Sequence, residues 1–137
     1  MGGVAVHTVS VCDLAKPEFD CESSAGLGPP GRVFYVSAES VYVWTTPWRG
    51  RTDGGSSVFR IPLSAAAPTA LKTAGSPVDQ FSFLEGSDGY LNVLLRAQGR
   101  GDGMWAGETR AGDLALLRVP LSGFSDGKDS APPQAYR

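Results

Sequence analysis

This chain of 137 residues has one histidine, two cysteines and only 19% charged residues, and each shortage removes a class of function. His7 is the only base of its kind and no Gly-x-Ser-x-Gly elbow occurs, so a Ser-His-Asp apparatus has no source of parts. One histidine with two cysteines is also short of the four ligands of a closed zinc site, and no metal or other cofactor is expected. The formal net charge of −2 and the lack of any Lys/Arg run advertise no polyanion-binding surface, which excludes nucleic acid as a partner. No stretch approaches the roughly 20 consecutive apolar residues of a membrane-spanning helix. The opening Met1-Gly2-Gly3-Val4 lacks the basic start and long apolar run of a secretory signal.

What the chain does have is turn formers and short apolar runs. Its 18 glycines and 10 prolines, beside 42% hydrophobic residues, predict an all-β fold with many turns between short strands. One line of text is written twice. Val58-Phe59-Arg60-Ile61-Pro62-Leu63-Ser64 returns as Leu116-Leu117-Arg118-Val119-Pro120-Leu121-Ser122, and a vaguer copy, Val9-Ser10-Val11-Cys12-Asp13-Leu14-Ala15, lies upstream. Repeats spaced by roughly 50 to 60 residues, each among several alternating strands, predict a β-propeller segment built of four-stranded antiparallel blades.

Strands are expected over residues 4–14, 19–25, 32–37, 40–46, 57–63, 69–73, 80–84, 90–96 and 113–121. Long Gly-rich loops follow the fifth-decade strand and the strand at 90–96. Residues 1–31 then read as the third and fourth strands of a preceding blade, 32–79 as a complete blade, 80–124 as most of a following blade, and 125–137 as a linker or frayed tail. Such a count does not close a ring of four to eight blades. The neighbouring blades are therefore expected from a longer chain or from other copies, the longer chain being favoured.

The segment Val78-Asp79-Gln80-Phe81-Ser82-Phe83-Leu84-Glu85-Gly86-Ser87-Asp88-Gly89-Tyr90-Leu91-Asn92-Val93 resembles the secreted bacterial and archaeal β-propeller domain family distantly related to WD-repeat propellers. The Gln-Phe-Ser segment, an acidic residue and Gly-Tyr-Leu carry the resemblance, which extends over about residues 4 to 124. It implies a secreted or surface-exposed propeller with no general catalytic motif.

Two constellations carry the functional expectation. Cys12 and Cys21 are placed symmetrically about the Lys16-Pro17 turn, so a hairpin there brings them opposite one another. A disulfide would need an oxidising compartment, and two buried free thiols are the alternative. Trp48, Arg49 and Arg51 fall in one long loop and Trp105 and Arg110 in the equivalent one. Aromatic residues with arginine on a loop face suit a protein or glycan, while the alternative makes each Trp a lid on its own blade's apolar edge. The Asp-Gly pairs at Asp53, Asp88, Asp102 and Asp126 read as turns rather than calcium ligands, and Arg100-Gly101-Asp102 as a chance tripeptide.

These features together predict a non-catalytic binding or scaffold segment, extracellular, periplasmic or at the cell surface. The alternative is part of a secreted propeller hydrolase or lyase whose catalytic groups lie in missing blades. Carboxylate pairs such as Glu85 with Asp88, or Glu108 with Asp113, are acid/base candidates in the chain itself, although loop carboxylates are usually solvated.

Overall fold

The computed structural model describes residues 4–31, 33–46, 55–64, 66–96 and 114–137. Among these the regular structure is strand, apart from two short 3-10 turns, and no helix is long and apolar enough to cross a membrane. The all-β expectation holds, and the sheets are antiparallel except at one edge.

Three layers follow one another. The first is a hairpin of β1 (Ala5–Asp13) and β2 (Asp20–Gly28). The second is a five-stranded sheet in which β3 (Val33–Val36), β4 (Ser40–Thr45), β5 (Ser56–Pro62) and β6 (Thr69–Thr73) form an antiparallel meander. The third joins β7 (Ser76–Pro77) and β8 (Phe83–Glu85) to one edge of β9 (Tyr90–Arg96), with β10 (Leu114–Pro120) on its other edge. The fifth strand of the second layer is β11 (Asp126–Ser130), which runs parallel to β6.

Burial explains the strand compositions. Every residue of β4 is buried because the strand is covered on both faces: Tyr42 and Trp44 face the third layer, while Val41 and Val43 face the hairpin. A strand covered on both sides reads as a continuous apolar run. In β9 only Leu91, Val93 and Leu95 are covered, and Asn92 and Leu94 point outward. Burial along that strand accordingly alternates with a period of two, although Leu94 on the open face is itself apolar.

The main core lies between the second and third layers. Val33, Tyr42, Trp44, Val58 and Leu71 meet Phe83, Leu91, Val93, Leu95, Leu117 and Val119 there. A smaller cluster of Val41, Val43 and Ile61 lies beneath the hairpin, with Val9 and Phe59 packed against it. The hairpin comes close because its glycines let it. A Cβ at Gly28 would stand 2.8 Å from the Phe59 ring, nearer than side chains approach.

The repeat is visible in the register. Pro62 pairs with Ser40 and Pro120 with Tyr90, which makes β5 and β10 equivalent strands, each following its hairpin partner. The equivalent side chains also face the same way along the stack. Val9 packs onto the second layer, Val58 packs onto the third, and Leu116, at the same place in the repeat, is 40% exposed on the outer face of the third.

Three expectations need correction. The strand expected over 19–25 continues to Gly28, since it lies at an edge where glycines break no ladder on their outer side. The strand expected from Gln80 begins at Phe83: the Asp79 carboxylate accepts from the Phe81 N–H at 2.8 Å and the Ser82 hydroxyl at 2.7 Å, and this local turn holds 79–82 out of the sheet. The segment 125–137, expected as a linker or frayed tail, is ordered into both sheets. Ser125 exchanges backbone hydrogen bonds with Ala70, the Ala131 N–H donates to the Lys72 carbonyl, and Arg137 exchanges two bonds with Leu116. Unpaired outer edges of β6 and β10 attract it, as sheet edges attract any extended backbone.

Candidate functional sites

Cys12 and Cys21 are exact cross-strand partners in the hairpin, with Cα atoms 4.1 Å apart and sulfurs at bonding distance, as the turn at Lys16-Pro17 predicts. By the loop-closure estimate, a bridge over so short a loop stabilises the hairpin by about 2–3 kcal/mol. The bridge closes the hairpin next to its tip. The far end of the hairpin overhangs the body, and Leu14 and Phe19 at the tip are almost wholly exposed.

Trp48, Arg49, Arg51, Trp105 and Arg110, the expected loop-face residues, lie outside the described residues, as do Asp53, Asp102, Glu108 and Asp113. The stems of their two loops are described. Ser56 donates from its hydroxyl to the Gly75 carbonyl at 2.5 Å, and its oxygen lies 3.4 Å from the Thr46 hydroxyl. Gly75 in turn abuts the carbonyl of Arg96, where the second loop leaves, and a Cβ there would meet it at 2.6 Å. Gly75 has φ of 75°, a conformation that glycine adopts without strain. The described residues that flank 47–54 and 97–113 therefore lie at one end of the layers.

At the opposite end, a polar cluster that sequence reasoning missed bridges the second and third layers. The Tyr42 hydroxyl donates to Glu85 Oε2 at 2.5 Å and the Ser37 hydroxyl donates to the same oxygen at 2.8 Å. Arg60 donates from Nε to the Ser40 hydroxyl nearby. Glu85 and Asp88, weighed as a carboxylate pair, are engaged separately, since Asp88 forms an ion pair with Arg118 at 2.8 Å. Arg118 also stacks over the Tyr90 ring at 3.6 Å.

Burial drives the Tyr42 phenol well above its ordinary range, and its bond to the Glu85 carboxylate adds to the shift. Tyr42 is therefore a permanent donor, with its ring out of reach of solvent, and the cluster is a polar tie between layers. The folded-state pKa is raised, so the associated stability is complete below the unfolded value of 10.0 and is lost as pH rises beyond it. Tyr42→Phe should cost about 1.5–3 kcal/mol at neutral pH, the range for a hydrogen bond to a charged group. It should also flatten the alkaline limb of the stability profile, which denaturant unfolding at about pH 8 and about pH 11 measures.

His7, the lone histidine, is a half-buried strand residue held by a 2.9 Å hydrogen bond between Nε2 and the Pro29 carbonyl oxygen. It borders a groove of about 460 Å³ between β1 and the strands β3 and β4. Val9, Phe34, Val36, Val41 and Val43 share its wall. No single residue in the sequence marks this groove, but the apolar run Val33-Phe34-Tyr35-Val36 does carry a signal: both faces of β3 are built to be covered. Comparison with known proteins finds no matching family model, no matching curated protein and no matching solved structure.

Proposed function

We propose that the chain is a non-catalytic binding and scaffold segment of β-propeller type, exported or displayed outside the cytoplasm, which engages a protein or a glycan through its loop end. The observation that carries this reading is the common sense of the three layers. Val9, Val58 and Leu116 occupy one position of the repeat and all face the same way along the stack. Stacking of equivalent sheets in one direction is how propeller blades bury their faces. The residues that flank 47–54 and 97–113 come together at one end, which suits a shared binding surface there. The Cys12–Cys21 bridge favours an oxidising location.

The reading also accounts for what is left open. The outer face of the third layer presents Leu84, Leu94, Leu114 and Leu116, all partly or largely exposed. Its counterpart in the second layer, around Tyr42, Trp44 and Val58, is covered. A neighbouring blade, from a longer chain or another copy, belongs there.

The test is the double substitution Trp48→Ala with Trp105→Ala, assayed on glycan and secreted-protein arrays beside thermal unfolding. Array binding by the unaltered chain should vanish in the variant, with stability changed by less than about 0.5 kcal/mol, as for surface positions. A loss of several kcal/mol would make the two Trp packing lids and overturn the loop-end reading. Turnover of an arrayed polysaccharide or peptide would replace it with the hydrolase or lyase alternative.

A further inference from the structure

The groove beside β1 is where the repeat is incomplete. β5 is flanked by β4 on one side and β6 on the other, and β10 has β9 on the side equivalent to β4. β1 carries the upstream copy of the same text, and β2 follows it as β6 follows β5. Among the described residues nothing pairs with β1 on its remaining side. The groove lies on that side, because it is lined by Val6, His7, Thr8 and Val9 of β1 and by no residue of β2.

The floor of the groove shows what is missing. Phe34 pairs with Val43 as Phe83 pairs with Val93, so the two phenylalanines are register equivalents. Phe83 is 6% exposed because Tyr35 stacks on it with centroids 5.6 Å apart and Trp44 meets it edge-on at 6.1 Å. Among the described residues Phe34 has no such cover and is 54% exposed, as is Val36 two positions on. The same floor in the next layer is thus sealed by aromatic side chains from β3 and β4, two of them at alternate positions of β4, Tyr42 and Trp44.

We propose that this groove is a strand-acceptor site: an extended segment of a partner protein, with large apolar or aromatic side chains at alternate positions, adds antiparallel to β1 and covers Phe34 and Val36. Backbone hydrogen bonds to β1 supply the affinity and the alternate side chains supply the specificity, as in other cases of strand addition. A one-residue slip would turn the apolar side chains to solvent, so register is strongly selected. The proposal rests on the binding-segment reading above and assigns it a second site, built on β1, β3 and β4.

The probe is a synthetic peptide with the sequence of residues 38–46, whose Tyr and Trp stand two apart, set against a scrambled peptide with those two adjacent. Binding is read by anisotropy of the labelled peptide, and its place by amide hydrogen exchange. Expected are saturable binding of the ordered peptide, slowed exchange in β1, and at least tenfold weaker binding to Phe34→Asp. Leu116→Asp, on the far face of the third layer, should bind as the unaltered chain does. Should Phe34→Asp not fold, Val36→Lys replaces it with the same tenfold expectation.

Unslowed exchange in β1, equal binding of the scrambled peptide, or full binding to the groove variant each overturns the proposal. The Trp48→Ala, Trp105→Ala variant separates the two readings, since it should lose array binding and keep the peptide. Loss of array binding by that variant, with no peptide bound to the unaltered chain, would overturn the acceptor site alone.

Discussion

Trp44→Ala is expected to cost about 3–5 kcal/mol, the range for removing a large aromatic side chain from a packed core. Trp44 is only 2% exposed, pairs with Val58 within its sheet and meets Phe83 of the third layer edge-on at 6.1 Å. Removing it opens a cavity at the junction of the two layers, where neither sheet can close the gap without giving up its own register. Against a total of roughly 5–15 kcal/mol for a domain, this is a large share. The midpoint of thermal unfolding should fall by about 10–20 °C, given roughly 3–5 °C per kcal/mol at this size. Trp44→Phe should cost far less. The indole Nε1 has no hydrogen-bond partner among the described residues, so the smaller ring loses volume and no polar contact. If Trp44→Ala unfolded with an unchanged midpoint, the two layers would not share a core.

The difference between β4 and β9 also shows why so much of the fold was legible. Residues 40–46, rich in Val, Tyr and Trp, and residues 90–96 were both recognisable as strands, and the observed elements are Ser40–Thr45 and Tyr90–Arg96. What period and composition encode is how many faces of a strand are covered. The repeated Arg-x-Pro-Leu-Ser text went further, because equivalent residues fall in equivalent registers of β5 and β10. Symmetry about Lys16-Pro17 sufficed for the Cys12–Cys21 pair.

Local side-chain chemistry defeated the same reasoning at Gln80. Apolar Phe81 argued for strand, while Asp79 and Ser82 bind the intervening backbone into a turn and leave Phe81 exposed. The groove at Phe34, hinted at only by the apolar run of β3, and the Tyr42–Glu85 tie escaped the same reasoning for another reason. Each joins residues more than 20 positions apart across two layers, and neither is a motif. The candidate loop residues Trp48, Arg49, Arg51, Trp105 and Arg110 fall outside the described residues, so the loop end is carried by its stems alone.

Deletion of residues 125–137 is expected to be the most damaging change of all. Asp126-Gly127-Lys128-Asp129-Ser130 has the composition of a solvated tail, and only its neighbours explain its order. Phe124 is buried just before it, Ala131 and Ala135 are buried within the main core, and Tyr136 packs against that core while its hydroxyl accepts from the Ala74 N–H at 2.9 Å. The segment thus spans from the edge of β6 to the edge of β10 and holds the second and third layers together. Each backbone hydrogen bond lost costs about 0.5–1.5 kcal/mol net, and several are lost together with buried apolar surface. A loss of more than 5 kcal/mol is about the total stability of a marginal domain, so the shortened chain should be largely unfolded at room temperature. Any folded remainder would present two bare sheet edges and should aggregate with rising concentration. Tyr136→Ala, which keeps every backbone bond, should fold with a midpoint lowered by about 2–4 kcal/mol in equivalent stability, and so separates the packing of the ring from the pairing of the edges. An unchanged unfolding midpoint in the shortened chain would restore the segment to a frayed tail; a drop with Tyr136→Ala as large as that of the deletion would assign the tie between layers to the tyrosine.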